Sequence, residues 1–204
     1  MSKTITELPS YFLSVIVSFI VFYALLIPAA FLYPNYSPFK YTVSALGNTT
    51  INPNGWWLFS LCLIILAFTL LPFIYGAKKW YESDPSVRYY IYGVQLVGVF
   101  NSFALIMIAI NPTDTMSDAH NLWSLVNFIC IEIVILLMVI GLRNHSSYWN
   151  RLSILALVDF VCCIVYIYLL TNIREIATIF EWLTFTFILS YLLLVGYNMY
   201  KEGM

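Results

Sequence analysis

The residues best suited to chemistry include a stripe of polar side chains at the start of an otherwise apolar run. His120, Ser124 and Asn127 recur at helical spacing, so they would lie on one face of a helix. Asp114 precedes the stripe, and a histidine with an acidic partner can act as a general base. Ser44, from an earlier segment, could in principle be the nucleophile. These residue types are those of acyl or headgroup hydrolysis or transfer.

A second set is a pair of acidic residues deep inside apolar runs. Glu132 and Asp159 each lie about ten residues, or roughly 15 Å, from the nearest basic end of a run. Antiparallel neighbouring helices would bring the carboxyls together, and the pair would then share a proton, because two adjacent charges are costly in a low dielectric. The pair indicates either a proton or cation relay or a protonated pair that holds helices together.

Composition defines the environment in which these groups work. Of the 204 residues, 62% are apolar and 9% are charged, whereas a soluble domain is about half apolar and about a quarter charged. The net charge of −1 lacks the basic footprint of a nucleic-acid binder. We therefore expect a polytopic membrane protein whose partners are membrane lipids and not nucleic acid.

Six apolar runs are long enough to cross a bilayer, since about 30 Å of hydrocarbon requires roughly 20 helical residues. They lie at about residues 11–32, 56–76, 89–110, 119–142, 152–170 and 176–200. We predict an all-α fold, a single domain over residues 1–204, built as a six-helix transmembrane bundle with an interfacial first outer loop. The first run is expected to be retained as a span, because it is longer than the apolar stretch of a signal peptide. Pro28 and Pro72 predict kinks in the first two helices.

Basic residues indicate the orientation of the spans. The N-terminus, the second and fourth loops and the C-terminus hold seven basic residues, and the alternate loops hold two. The seven are Lys3, Lys78, Lys79, Arg88, Arg143, Arg151 and Lys201, and the two are Lys40 and Arg174. The excess predicts a multi-pass protein of the cell membrane with cytoplasmic N- and C-termini, so that loops one, three and five face outward.

The outward loops are expected to form the main polar site. Loop one, residues 33–55, places apolar side chains among small polar ones, which is typical of an interfacial segment. Glu181, about five residues into the last run, lies at a similar depth to the polar stripe. We expect four residues to converge: Ser44, Asp114, His120 and Glu181. The cluster is open to three interpretations, namely catalysis, recognition of a lipid headgroup, or a structural network between loops one and three.

Several other kinds of site are not supported. Two histidines on opposite sides of the membrane cannot form a three-histidine zinc site. The sequence has no GxSxG, P-loop, HExxH or GxGxxG motif. Four cysteines lie inside apolar runs and are interpreted as packing residues: Cys62, Cys130, Cys162 and Cys163. Nothing in the sequence requires a metal or another cofactor.

Two loop motifs resemble those of a hexahelical membrane family. Residues 41–47 read YTVSALG and are followed by Asn52-Pro53, which is similar to an S-x-L/T-G … P/N-P/E element. Residues 111–114 read NPTD and are followed by His120, which is similar to an F-P-x-D … H element, with asparagine where the family has phenylalanine. Both elements resemble the prokaryotic domain-of-unknown-function family nine-nine-eight and, more remotely, the eukaryotic Frag/DRAM/Sfk family.

The resemblance implies a six-span layout and one shared site. Its members here would be Ser44, Gly47, Asp114 and His120. The eukaryotic relatives are associated with GPI-anchor lipid remodelling, phosphoinositide signalling, autophagy and plasma-membrane lipid organisation, whereas the prokaryotic branch has no agreed activity.

Our leading hypothesis is an integral membrane protein with an outward-facing polar pocket that handles lipids or organises the membrane. Its expected lipid-binding residues are Ser44, Gly47, Asp114, His120, Ser124 and Glu181. Three alternatives stay open. One is an accessory subunit of a larger membrane complex, and another is an intramembrane lipid hydrolase or transferase with His120 as base, Asp114 as its partner and Ser44 as nucleophile. The third is a proton-coupled transporter or channel that uses Glu132 and Asp159.

Overall fold

The described part of the chain is built from α-helices. A computed structural model describes residues 8–204, apart from the side chains of residues 174 and 175. The helices are α1 (Ser10–Leu32), α2 (Trp56–Thr69), α3 (Leu71–Gly76), α4 (Lys78–Ser83), α5 (Arg88–Ile110), α6 (Ser117–Leu142), α7 (Arg151–Asn172) and α8 (Arg174–Lys201). Short 3-10 turns lie at Ser44–Gly47 and Pro85–Val87.

Within the described residues, six helical stretches are long and apolar enough to cross a membrane, which confirms the predicted helical bundle. They are Ser10–Leu32, Trp56–Ser83, Pro85–Ile110, Ser117–Leu142, Arg151–Asn172 and Ile176–Lys201. The largest difference from the expected bounds is at the second span, which continues through α3 and α4 to Ser83.

The two prolines inside spans have different effects. Helix α2 ends at Thr69, and α3 begins one residue before Pro72. A proline has no amide hydrogen for the preceding turn, so the helix is interrupted at this position. Pro28, by contrast, lies inside an unbroken α1. The sequence therefore located the break in the second span, but Pro28 does not divide the first.

Packing follows a different order from that of the chain. The helices neighbour one another in the order α6, α5, α2, α1, α8 and α7, and α6 meets α7 at comparatively few residues. Small side chains permit the close approaches: a Cβ on Gly98 of α5 would lie 2.6 Å from the Ile74 side chain of α3. The narrow contact between α6 and α7, which we call the α6–α7 seam, contains Glu132 on one side and Asp159 on the other.

The bundle has two distinct ends. The Tyr11 hydroxyl donates a hydrogen bond to the carbonyl oxygen of Met204 at 2.6 Å, so the start of α1 and the C-terminus lie together at what we call the terminal end. Loops one and three lie at the opposite, loop-one end. Within loop one, Val43 and Leu46 are buried against the bundle, whereas Phe39 is 69% exposed. The loop is thus a cap that inserts aliphatic side chains among the helices.

Candidate functional site

Asp114 fixes loop three to loop one. Its Oδ1 accepts a hydrogen bond from the Thr49 amide at 3.1 Å, and its Oδ2 accepts from the Thr49 hydroxyl, the Thr50 amide and the Thr50 hydroxyl at 2.8, 2.9 and 2.7 Å. Burial alone would raise the pKa of Asp114, but these hydrogen bonds outweigh it and hold the pKa well below its usual range. Asp114 is therefore an ionised anchor for the tip of loop one.

Glu181 fixes the other part of loop one from α8. Its Oε2 accepts a hydrogen bond from the Val43 amide at 2.6 Å. Ser44 also interacts with this carboxyl group, as does the Tyr166 hydroxyl of α7. The Glu181 side chain is 3% exposed, so loop one and α7 enclose it. Glu181 is the point at which loop one, α7 and α8 are joined.

Two small adjoining cavities lie below loop one. The upper cavity has a volume of about 20 Å³, and its polar lining is Ser44, Ser124, Asn127 and Glu181. The lower cavity, about 30 Å³, is lined mostly by aliphatic and aromatic side chains. The two share Phe22, Leu105, Asn127 and Phe185. Each has room for about one water molecule, and together they form a narrow space that is polar near loop one and apolar deeper in the bundle.

His120 is buried at the loop-one end with one nitrogen unpaired. Its Nδ1 lies 2.7 Å from the carbonyl oxygen of Asn111, so Nδ1 carries the proton and Nε2 presents a lone pair. Nε2 has no hydrogen-bond partner among the described residues, and the side chain is 2% exposed. The ring of His120 packs against Phe59, with centroids 6.3 Å apart. A Cβ on Gly47 would lie 2.6 Å from the same phenylalanine ring, which explains the glycine there.

The structure divides the expected lipid-binding residues among three neighbouring places. Ser44, Ser124 and Glu181 line the upper cavity, Gly47 and His120 contact Phe59, and Asp114 binds Thr49 and Thr50. No hydrogen bond among the described residues links His120 to Ser44, since Nδ1 of His120 is paired with a backbone carbonyl. The Ser44 hydroxyl donates to Oγ1 of Thr42 at 3.0 Å. The loop-one end is thus a capped polar site in which Asp114 serves loop attachment.

The acidic pair lies at the α6–α7 seam. Asp159 is fully buried and Glu132 is 9% exposed, and the two carboxyl groups are within electrostatic reach of each other. None of their four oxygens accepts a hydrogen bond of ordinary geometry from the described residues. The Cys163 thiol lies beside Glu132. Among the described side chains, no three histidine, cysteine or acidic groups are arranged to hold a metal ion.

Sequence reasoning missed three buried polar residues that the structure places at these sites. Asn52 is fully buried, and its Nδ2 donates to the carbonyl oxygens of Leu46 and Ala29 at 2.9 and 3.3 Å. The Tyr166 hydroxyl interacts with Glu181, and Tyr191 lies within electrostatic reach of Asp159. A signal existed for Tyr191, because it lies near the middle of its span and tyrosines of membrane helices favour the ends.

These observations define a polytopic helical membrane protein with a capped polar site at one end and a buried acidic pair between two of its helices. The family model described as "Protein of unknown function (DUF998)" matches residues 16–198. The chain therefore belongs to this family, as the loop motifs predicted. No curated protein and no solved structure matched the chain.

Proposed function

We propose that the protein binds a membrane lipid beneath loop one and thereby handles lipids or organises the membrane around it. The supporting observation is the polarity of the two adjoining cavities. Ser44, Ser124 and Glu181 provide hydrogen-bonding groups near loop one, and the walls below them are mostly apolar. An amphiphile has the same order of polarity, with its headgroup at the membrane surface and its chain in the hydrocarbon.

Binding requires the capped site to open. Cavities of about 20 and 30 Å³ are far smaller than a lipid headgroup or chain, so the cap must move. Loop one is held to α8 through Val43 and Glu181 and to loop three through Asp114. Release of the Glu181 contact would expose Ser44 and the upper cavity together. The lipid would therefore bind beneath loop one in an open form of the bundle.

The test is lipid retention measured by native mass spectrometry of the protein extracted gently from its own membrane. Leu105 is buried, and its side chain lines both cavities, so Leu105→Trp should fill the space and remove the lipid adduct. Leu96 lies on the same helix and is 75% exposed, so Leu96→Trp is the matched control and should keep the adduct. Ser124→Ala, a milder change in the cavity lining, should weaken retention. Equal retention in Leu105→Trp and in the wild type would refute the proposal.

We also propose that the terminal end faces the cytoplasm of a cell membrane. Within the described side chains, six basic residues lie near the terminal end, at 78, 79, 88, 143, 151 and 201, and Lys40 lies near the loop-one end. Phe39 is exposed at the loop-one end, and Tyr89 is exposed near the terminal end. In intact cells, a membrane-impermeant maleimide should label Phe39→Cys and not Tyr89→Cys. The reverse labelling would overturn the orientation.

A further inference from the structure

We propose that a proton-transfer path crosses the bundle along α6, α7 and α8, with the Glu132–Asp159 pair at its centre. This is an activity distinct from lipid binding and does not rest on it. The path runs from Glu181 at the loop-one end to Tyr148 at the terminal end. Each of its groups, whether carboxyl, phenol or thiol, can both accept and donate a proton.

The centre of the path is the unpaired acidic pair. Buried polar groups in proteins are almost always hydrogen-bonded, and one left unpaired costs free energy. A pair kept only to join α6 to α7 would be expected to exchange hydrogen bonds, yet within the described residues no hydrogen bond of ordinary geometry joins Glu132 to Asp159, and the polar group beside Glu132 is the Cys163 thiol. Ionisable groups in this state inside a membrane span are typical of ion or proton sites.

The half of the path toward loop one consists of Glu181, Tyr166 and Cys163. The Tyr166 hydroxyl interacts with the Glu181 carboxyl group, and its electrostatic neighbours include Cys163. The Cys163 thiol in turn interacts with Glu132. Asp159, Cys163 and Tyr166 are spaced four and three residues apart on α7, so all three lie on one face of this helix. That face is buried, whereas most of the exposed α7 side chains are apolar.

The half toward the terminal end consists of Tyr191 and Tyr148. Tyr191 of α8 is fully buried and lies within electrostatic reach of Asp159. Its hydroxyl oxygen is 3.4 Å from that of Tyr148, which lies in the loop between α6 and α7. Burial raises the pKa of Tyr148, so this phenol stays neutral at physiological pH and can pass a proton by exchange without ionising. The other titratable group that faces the pair is Cys162, next to Thr184.

The transfer step conserves atoms and charge and needs no oxidant. A proton from the loop-one side binds Glu181. The Tyr166 phenol then accepts a proton from Glu181 on its oxygen and gives its own hydroxyl proton to Cys163. The proton reaches Glu132, is shared with Asp159, and leaves through the hydroxyls of Tyr191 and Tyr148. The net result is one proton moved across the bundle, with each relay group returned to its starting state once its hydroxyl or thiol rotates back. The direction of net movement is set by the proton gradient.

The experiment uses the full chain in phosphatidylcholine vesicles with a trapped pH-sensitive dye. Potassium on both sides, together with valinomycin, removes the membrane potential, and an external acid step starts the reaction. The wild type should acidify the vesicle interior faster than protein-free vesicles do. Glu132→Gln and Asp159→Asn should each reduce the rate to the protein-free level. Tyr168→Phe is the matched control, because Tyr168 is on α7 and 62% exposed, and it should keep the wild-type rate.

Two further variants separate proton transfer from a structural role. Glu132→Asp keeps a carboxyl group and should retain flux, whereas a role in packing alone would make it more damaging than Glu132→Gln, which keeps the size of the side chain. Tyr191→Phe keeps the ring and removes the hydroxyl, so it should lose most of the flux while the helical circular-dichroism signal is unchanged. A wild type no faster than protein-free vesicles, or a Glu132→Gln variant at the wild-type rate, would overturn the proposal.

Discussion

Replacing Asp114 by asparagine should release the tip of loop one while the helices stay folded. An amide oxygen placed at Oδ2 can keep the contacts with the Thr50 amide and with the two hydroxyls, but the NH₂ group then faces the Thr49 amide and cannot accept from it. One backbone hydrogen bond is lost, and the others lose the strength that the negative charge gives them. A hydrogen bond to a charged group contributes about 1.5–3 kcal/mol. Water reaches this partly exposed turn, so we expect a net loss of about 2 kcal/mol.

Amide hydrogen exchange measures this loss directly, because the Thr49 and Thr50 amides are protected by Asp114. A loss of about 2 kcal/mol corresponds to roughly 30-fold faster exchange at both amides. Amides in the centre of α5 should not change. Asp118→Asn is the control, since Asp118 is exposed in the first turn of α6 and the variant should leave Thr49 and Thr50 protected. Unchanged exchange at Thr50 in Asp114→Asn would refute the assignment of Asp114 as the anchor.

The same anchor predicts a pH dependence with a defined sign. The pKa of Asp114 is lower in the folded protein than its ordinary value, so the folded state favours the ionised form. Its contribution is therefore complete above the ordinary aspartate pKa and is lost only as the pH falls through the lowered value. The range from pH 5 to 8 lies on the order of one pH unit or more above the ordinary pKa of aspartate. After correction for intrinsic exchange rates, the protection of the Thr49 and Thr50 amides should therefore be constant throughout this range. A loss of protection within that range would contradict the assignment.

Two further substitutions test how loop one is packed. Gly47→Ala places a methyl group against the rigid ring of Phe59 and should lower stability by about 1–3 kcal/mol, measured by thermal unfolding in nanodiscs. Gly93→Ala, which meets only the flexible end of Leu137, should lower stability by less. The opposite ranking of the two variants would contradict the packing. Asn52→Ala leaves two buried carbonyl oxygens without their donor and should cost about 1–3 kcal/mol in the same assay, and an unchanged melting temperature would show that these hydrogen bonds are not needed.

The spans could be predicted from the sequence because the thickness of a bilayer fixes the length of an apolar helix. The expected ends of the other five spans differ from the observed ends by only a few residues. The second span continues past Gly76 because α4 adds about one and a half further helical turns that begin with two lysines. The length of an apolar run identifies the part of a helix that lies inside the hydrocarbon. It does not show where the helix itself ends, because backbone hydrogen bonds can continue beyond the apolar run.

The partners of the site residues could not be predicted in the same way. Asp114 was expected to assist His120, but its partners are Thr49 and Thr50, and His120 binds the Asn111 carbonyl. These contacts depend on how two loops fold against each other, and no helical periodicity describes that. Likewise, α7 packs mainly on α8, with only a narrow contact to α6. The order of the spans suggested that Glu132 and Asp159 could meet, and the structure places them within electrostatic reach of each other across a narrow contact between α6 and α7.

The two proposals meet at Glu181, and this predicts that loop one responds to protons. A carboxylate accepts the Val43 amide more strongly than a neutral carboxyl group does. Protonation of Glu181 therefore changes both this hydrogen bond and the cost of burying the carboxyl group under loop one. Corrected amide exchange at Val43 should change with pH as Glu181 gains or loses its proton. Glu181→Gln, which resembles the protonated form, should give exchange that no longer depends on pH, whereas Asp114→Asn should keep the pH dependence at Val43. A pH dependence that persists in Glu181→Gln would show that another group controls the loop and would separate the proton path from the lipid site.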